Sequence, residues 1–178
     1  MAPFLFGVHC RVGKAKRAPH LSAIETEMVG TLRFAHPTDT ENLMLSGSCL
    51  CGGVAYEVDA SPSMIVHCHC QTCRKTHGSA FSTVTNVPRD RFRWTKGEEL
   101  LRGFESSPGK TRYFCSQCGS HIVASRDGRD TVLLRMGCLD TPITARPEMH
   151  IWRSDAADWY DPKDDIPQWP EGTRPPNA

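Results

Sequence analysis

The sequence has no apolar run approaching the ~20 residues that a membrane-spanning helix needs. It also has no large excess of charge. Across 178 residues the net charge is +1, so no global field draws it to nucleic acid or to a membrane surface. It lacks an internal repeat and any long window of helical periodicity. Phe4-Leu5-Phe6 is too short to be the apolar core of a secretory signal. These absences leave one domain with a modest core plus tails, with neither nucleic acid nor membrane as an expected partner.

Cysteine is what the chain has in plenty. Seven of the nine fall in tight groups: Cys49 with Cys51, Cys68 with Cys70 and Cys73, and Cys115 with Cys118. A small secreted disulfide framework spreads its cysteines more widely. A Cys-x-Cys pair is also a poor local disulfide, because neighbouring Cβ vectors rarely reach S–S geometry. The clustering predicts metal binding in a reducing compartment, most simply the cytoplasm.

The chain divides by texture. Residues 1–43 begin with four cations (Arg11, Lys14, Lys16, Arg17) and no acid before Glu25, then end in the polar run from His36 to Asn42. They read as a disordered extension, with some flavour of an organelle transit segment, and make His9 and Cys10 bystanders. Met44 stands as a plausible first residue of the domain proper, residues 44–170, with 171–178 as a flexible tail. Val54, Tyr56 and Val58 alternate with polar neighbours as a half-buried strand. Short strands are predicted at 64–66, 81–87, 92–94, 100–104, 111–115, 121–125, 131–136 and 149–152. One or two helical turns run from Gln71 to a stop at Gly78, and Ser154 is placed to cap a short helix. Many short strands broken by Gly and Pro predict an all-β class. Its form would be small antiparallel sheets with few short helices.

Zinc wants about four donors at tetrahedral angles. Residues two apart on a strand point to one face, so Cys49 and Cys51 can aim at one ion. Cys115 and Cys118, with Gly119 after them, form a knuckle. Together the two pairs would close a four-thiolate structural site. Cys68, Cys70 and Cys73 would then hold a second zinc with its fourth position open, the arrangement of a reactive site. Arg74 and Lys75 would partly offset its net charge. Other groupings stay open. Cys70/Cys73 with Cys115/Cys118 would make a one-metal zinc ribbon. His67, His69 or His77 could close the triplet into a second structural site. A redox Cys-x-x-Cys lacks the βαβ surroundings it needs.

Beyond these spacings, the chain resembles the family of glutathione-dependent formaldehyde-activating enzymes, grouped with centromere protein V. The likeness rests on Gly47-Ser48-Cys49-Leu50-Cys51-Gly52-Gly53-Val54, His67-Cys68-His69-Cys70-Gln71-Thr72-Cys73-Arg74-Lys75 with Gly78-Ser79-Ala80-Phe81, and Phe114-Cys115 with Cys118-Gly119. It continues through Gly137-Cys138-Leu139-Asp140, His150-Ile151 and Trp159, covering about residues 45–170. The resemblance implies small twisted sheets around two zinc ions per chain. One is structural on Cys49, Cys51, Cys115 and Cys118. The other is of catalytic type on Cys68, Cys70 and Cys73. It implies carbon–sulfur lyase activity of the S-(hydroxymethyl)glutathione synthase kind, with a small-molecule thiol such as glutathione and an aldehyde as partners. The rival reading is a non-catalytic, zinc-stabilised binding module.

Residues outside the clusters are read more plainly. Cys138 is a small core residue and His150 a hydrogen-bonded structural histidine. His67 and His69 turn away from the metal into supporting or surface roles. Trp94, Trp152, Trp159 and Trp169 are core or covering aromatics.

Overall fold

The structure, a computed structural model, describes residues 44–172. The expectations for residues 1–43, including His9 and Cys10, and for residues 173–178 lie outside the described residues.

Period-two alternation builds the first sheet. In β2 (Ala55–Asp59) Tyr56 and Val58 are buried while their neighbours are half-exposed. Strand β1 (Met44–Ser48) pairs with it antiparallel, as does β5 (Phe92–Lys96) on its other side. Gly47 is required here, since a Cβ would overlap the Tyr56 ring. The Tyr56 hydroxyl donates to the Cys138 carbonyl at 3.1 Å, pinning the sheet to a distant loop.

The remaining strands form one seven-stranded sheet. They are β3 (Ile65–Cys68), β4 (Ser82–Pro88), β6 (Leu101–Ser107), β7 (Lys110–Cys115), β8 (His121–Arg126), β9 (Thr131–Arg135) and β10 (Met149–Ile151). Their spatial order is β10-β3-β4-β9-β8-β7-β6. Every pair is antiparallel except β10 with β3, which is parallel. The fold is therefore all-β as expected, with the larger sheet gathering most of the strands. Helix α1 (Gln71–His77) ends where anticipated, at Gly78. That residue takes a left-handed conformation and donates its N–H to the Arg74 carbonyl.

The alternation divides the large sheet between two cores. In β9, Val132 and Leu134 join the main core with Leu45, Tyr56, Val58 and Ile122. Leu133, between them, packs with Val66, Cys68, Cys73, Val84 and Ile151 in a second, smaller core. Cys49 and Cys115 belong to the first core and Cys68 and Cys73 to the second, so the two cysteine clusters are served by separate packing units.

The stretch after β10 departs from expectation. Ser154 caps no helix through Trp159. It lies inside a single 3-10 turn, Arg153–Asp155, and its hydroxyl donates to the Pro170 carbonyl at 2.6 Å. The proline-rich segment is too poor in N–H donors to form a sheet strand of its own. It instead docks alongside β10: His150 N–H donates to Pro167, Trp169 N–H to His150, and Trp152 N–H to Glu171. Trp94 packs on the main core and Trp169 on the second. Trp159 and Trp152 are not core residues, being 69% and 38% exposed.

Candidate metal centres

Cys49 follows β1 in a turn closed by Gly52 N–H on the Cys49 carbonyl at 2.9 Å. The Val54 N–H points at Cys49 Sγ from 3.2 Å. Cys115 ends β7, and the Gly119 N–H returns to its carbonyl at 2.8 Å, bending the chain so that Cys118 faces back. Both Gly52 and Gly119 take positive φ, which side chains with a Cβ rarely adopt. The Leu50 N–H donates to Ser120 Oγ at 3.0 Å and ties the two knuckles together.

All four sulfurs then lie within 4.8 Å of one another. Those of Cys49 and Cys51 are 3.5 Å apart, and those of Cys51 and Cys115 are 3.9 Å apart. A tetrahedral zinc with Zn–S near ~2.3 Å spaces its sulfurs by on the order of 3.8 Å, whereas a disulfide would bring them to ~2.05 Å. All eight cysteines among the described residues are free. Cys118 and Cys51 are shifted in opposite directions. Hydrogen bonds from the Ser120 side chain and backbone pull Cys118 down to about 5. Cys51 is pushed up to about 11: a Gly53 backbone hydrogen bond works against the rise, but those shared with Cys49 and Cys118 outweigh it. The donor set and spacing fit a closed metal site.

Cys68 ends β3, Cys70 caps the N-terminus of α1, and Cys73 faces inward from its first turn. Cys70 Sγ accepts from Cys73 N–H at 3.4 Å. These three sulfurs also lie within 4.8 Å of one another. Among the described residues no histidine or carboxylate completes the group. Cys73 is held well below the ordinary thiol range by hydrogen bonds from Cys68 and Cys70, with the charges of Arg112 and Arg135 adding to the effect. The same sharing, together with burial, drives Cys68 far above it. Both terminal nitrogens of Arg112 stand 3.9 Å from Cys73 Sγ, and its Nε donates to Ser106 Oγ at 2.8 Å. Arg135 is equally buried, with Nε and Nη2 lacking any hydrogen-bond partner. Two buried guanidinium groups suit a cluster that stays negative even with a divalent ion bound.

The three cysteines line a cavity of about 380 Å³. Val66, Val84, Leu133 and Ile151 supply its apolar wall, Lys110, Arg112 and Arg126 its charge. Trp152, the one described non-glycine residue with positive φ (59°), also lines it. Such strain is characteristic of functional sites.

The histidines take other partners. His67 Nδ1 meets Thr83 Oγ1 at 2.9 Å. His69 is fully buried, not on the surface, with Nε2 2.7 Å from His150 Nδ1. His150 in turn bonds the Asp164 carboxylate at 3.1 Å, fastening the proline-rich segment beneath Cys68 and Cys70. His77 and His121 stack edge to face at 5.2 Å. Cys138 is half-buried against the main core, its thiol on the His121 carbonyl. The ribbon grouping of Cys70/Cys73 with Cys115/Cys118 is not the one observed.

The two cations that act most strongly on Cys73 come from distant strands. Lys75 is exposed, and the charges favouring the Cys73 anion come from Arg112 on β7 and Arg135 on β9. Only the register of a seven-stranded sheet brings those strands beneath α1. The one local signal was an arginine at an inward position of each strand.

The model of the glutathione-dependent formaldehyde-activating enzyme family matches residues 44–155. A Penicillium rubens protein bearing that family's name is 29% identical over 118 residues, 65% of this chain and 56% of the relative. One from Colletotrichum graminicola is 28% identical over 96 residues, 54% of this chain and 44% of the relative. One from Halomonas elongata is 27% identical over 128 residues, 67% of this chain and 81% of the relative. The chain spans about half the length of the two fungal relatives. A solved Rhodobacter sphaeroides protein, 19% identical, superposes with a TM-score of 0.48 over 69% of this chain and 98% of that one.

Proposed function

Because the chain belongs to the family of glutathione-dependent formaldehyde-activating enzymes, we propose that it is a zinc-dependent carbon–sulfur lyase. It makes or breaks the adduct of glutathione's thiol with formaldehyde. Cys49, Cys51, Cys115 and Cys118 would hold a structural ion, and Cys68, Cys70 and Cys73 the working one. A zinc held by those three thiolates would supply a Lewis acid to the substrate.

The observation that carries this reading is that the three-cysteine cluster opens onto a cavity while having no fourth protein ligand among the described residues. In the forward direction an S–C bond forms, the carbonyl π bond breaks, and the thiol proton ends on the new hydroxyl, so no oxidant or second cofactor is needed. The chain's own groups hold the reactants. Arg112 and Arg135 stabilise negative charge at Cys73, and so at any thiolate beside it. The apolar wall excludes water, which strengthens those charge interactions. The His69–His150–Asp164 chain fixes the segment between Cys68 and Cys70. Eight free thiols suit a reducing compartment such as the cytoplasm.

The test is exchange NMR of glutathione with formaldehyde, with and without the zinc-loaded protein. Accelerated interconversion of the thiol and its hydroxymethyl adduct is expected, and Cys70→Ser should abolish it while leaving the fold intact. No acceleration by the wild type, or full acceleration by Cys70→Ser, contradicts the reading.

No helix among the described residues is long and apolar enough to cross a membrane.

A further inference from the structure

The cavity at the three-cysteine cluster is electrically lopsided. Its lining crosses the seven-stranded sheet from Ile151 on β10 to Ser107 on β6. The single acid in it, Asp155, lies just past β10, near one edge. The cations Lys110, Arg112 and Arg126 lie near the other, on β7 and β8. A second cavity of about 250 Å³ shares Asn86, Lys110, Arg126 and Leu133 with the first and adds Arg129. The reactive cluster therefore shares one cavity with these cations, and the second cavity continues the basic lining.

Lys110 and Arg126 are direct cross-strand partners in the β7–β8 register. Like charges placed directly opposite destabilise a sheet. Neither residue has a carboxylate within ion-pair distance among the described residues, although exposed ion pairs occur elsewhere, such as Arg91 with Asp59. Lys110 is moreover half-buried, where burial and the Arg112 charge disfavour its own. The Cys73 anion offsets part of this repulsion, and a second anion lying against Lys110 and Arg126 would relieve the rest.

Reach sets what kind of anion. Lys110 and Arg112 are two apart on one strand, so they share a face about 7 Å apart. Arg112 is already 3.9 Å from Cys73 Sγ. A negative group at Lys110 and Arg126 thus stands roughly 7–10 Å from the cysteine cluster that the substrate's sulfur would approach. We propose that Lys110 and Arg126 are the specificity-determining residues of this cavity. They recognise a carboxylate borne several bonds from the substrate's sulfur, so that the site takes an acidic, peptide-length thiol and not a short or neutral one. This inference rests on the thiol–aldehyde reading of the same site.

The experiment compares kcat/KM, with formaldehyde, for glutathione, its dimethyl ester and mercaptoacetate on the zinc-loaded chain. Mercaptoacetate's carboxylate is too close to its sulfur to reach Lys110. The wild type should favour glutathione about tenfold over either, the size of one partly exposed charge-assisted contact. In the Lys110→Met/Arg126→Gln double variant the acid-to-ester ratio should fall towards one, while Arg102→Gln, an exposed charge removed elsewhere, should keep it. Equal use of acid and ester by the wild type, or an unchanged ratio in the double variant, overturns the inference and leaves the lyase reading standing. Absence of turnover with every thiol overturns the lyase reading instead. Calorimetry with S-methylglutathione, which cannot form the adduct, then decides this one. Binding weakened about tenfold by the double variant sustains it, and equal or absent binding overturns it.

Discussion

Replacing Arg112 with Gln tests how the three-cysteine cluster is made negative enough to hold a metal and not so negative as to repel a thiolate. The guanidinium is buried, with both terminal nitrogens 3.9 Å from Cys73 Sγ. Three thiolates around a divalent cation leave one net negative charge. At 3.9 Å and an effective dielectric of ~20, Arg112 stabilises that charge by about 4 kcal/mol. Arg135 remains in the variant and the glutamine amide retains a dipole, so about half of this should be lost. A loss of about 2 kcal/mol weakens zinc binding at this site about 30-fold. The assay is competition with a chromophoric chelator, with the four-cysteine site as internal reference because Arg112 touches none of its sulfurs. The metal-free variant should also show a higher Cys73 pKa by ultraviolet thiolate absorbance, since one of the charges that lower it has gone. Zinc affinity unchanged within about threefold, with an unshifted Cys73, would refute the electrostatic role given to Arg112.

Other perturbations have equally definite outcomes. Burial first, then Arg135 and His121, lower His77 from 6.5 to about 4. The unfolded chain therefore takes up that proton first. The contribution to stability is complete above pH 6.5 and is lost as pH falls towards 4, by up to about 1.4 kcal/mol per pH unit. Urea denaturation of the zinc-free protein should show this slope among those of the other lowered histidines, and His77→Gln should reduce the total by its share. Gly97 has φ +70°, and a Cβ there would overlap the Gly53 carbonyl beside Cys51. Gly97→Ala should cost about 2–4 kcal/mol in the same assay. Cys115→Ser should lower the melting temperature far more than Cys70→Ser, since a closed site that ties β7 to the turn after β1 contributes folding energy. Equal losses would contradict the division into a structural and a working site.

Local signals carried much of the fold. Alternation at Val54, Tyr56 and Val58 marked β2 because one face of that strand is buried and the other is not. Gly78 marked the end of α1 because only its left-handed conformation closes the helix there. What local reading missed depends on register. The pairing of Lys110 with Arg126 and the approach of Arg112 to Cys73 follow from strand alignments set by distant packing. Sequence adjacency pointed instead to Arg74 and Lys75. From sequence Trp152 is a core or covering aromatic, because nothing local announces its left-handed backbone or the bond from its N–H to the Glu171 carbonyl. The cysteine spacings narrowed the ligand groups but left the ribbon open, and the separation of the two cores explains why the observed groups are four and three.

The most direct test is zinc content by elemental analysis, made together on the wild type and Cys70→Ser purified without added metal. One ion for each cysteine cluster predicts two per wild-type chain, and one in a Cys70→Ser protein that remains folded and has lost thiol–aldehyde exchange. A wild type that cannot hold a second ion even after zinc is supplied and the excess removed, or a Cys70→Ser protein that keeps two and stays active, would contradict it.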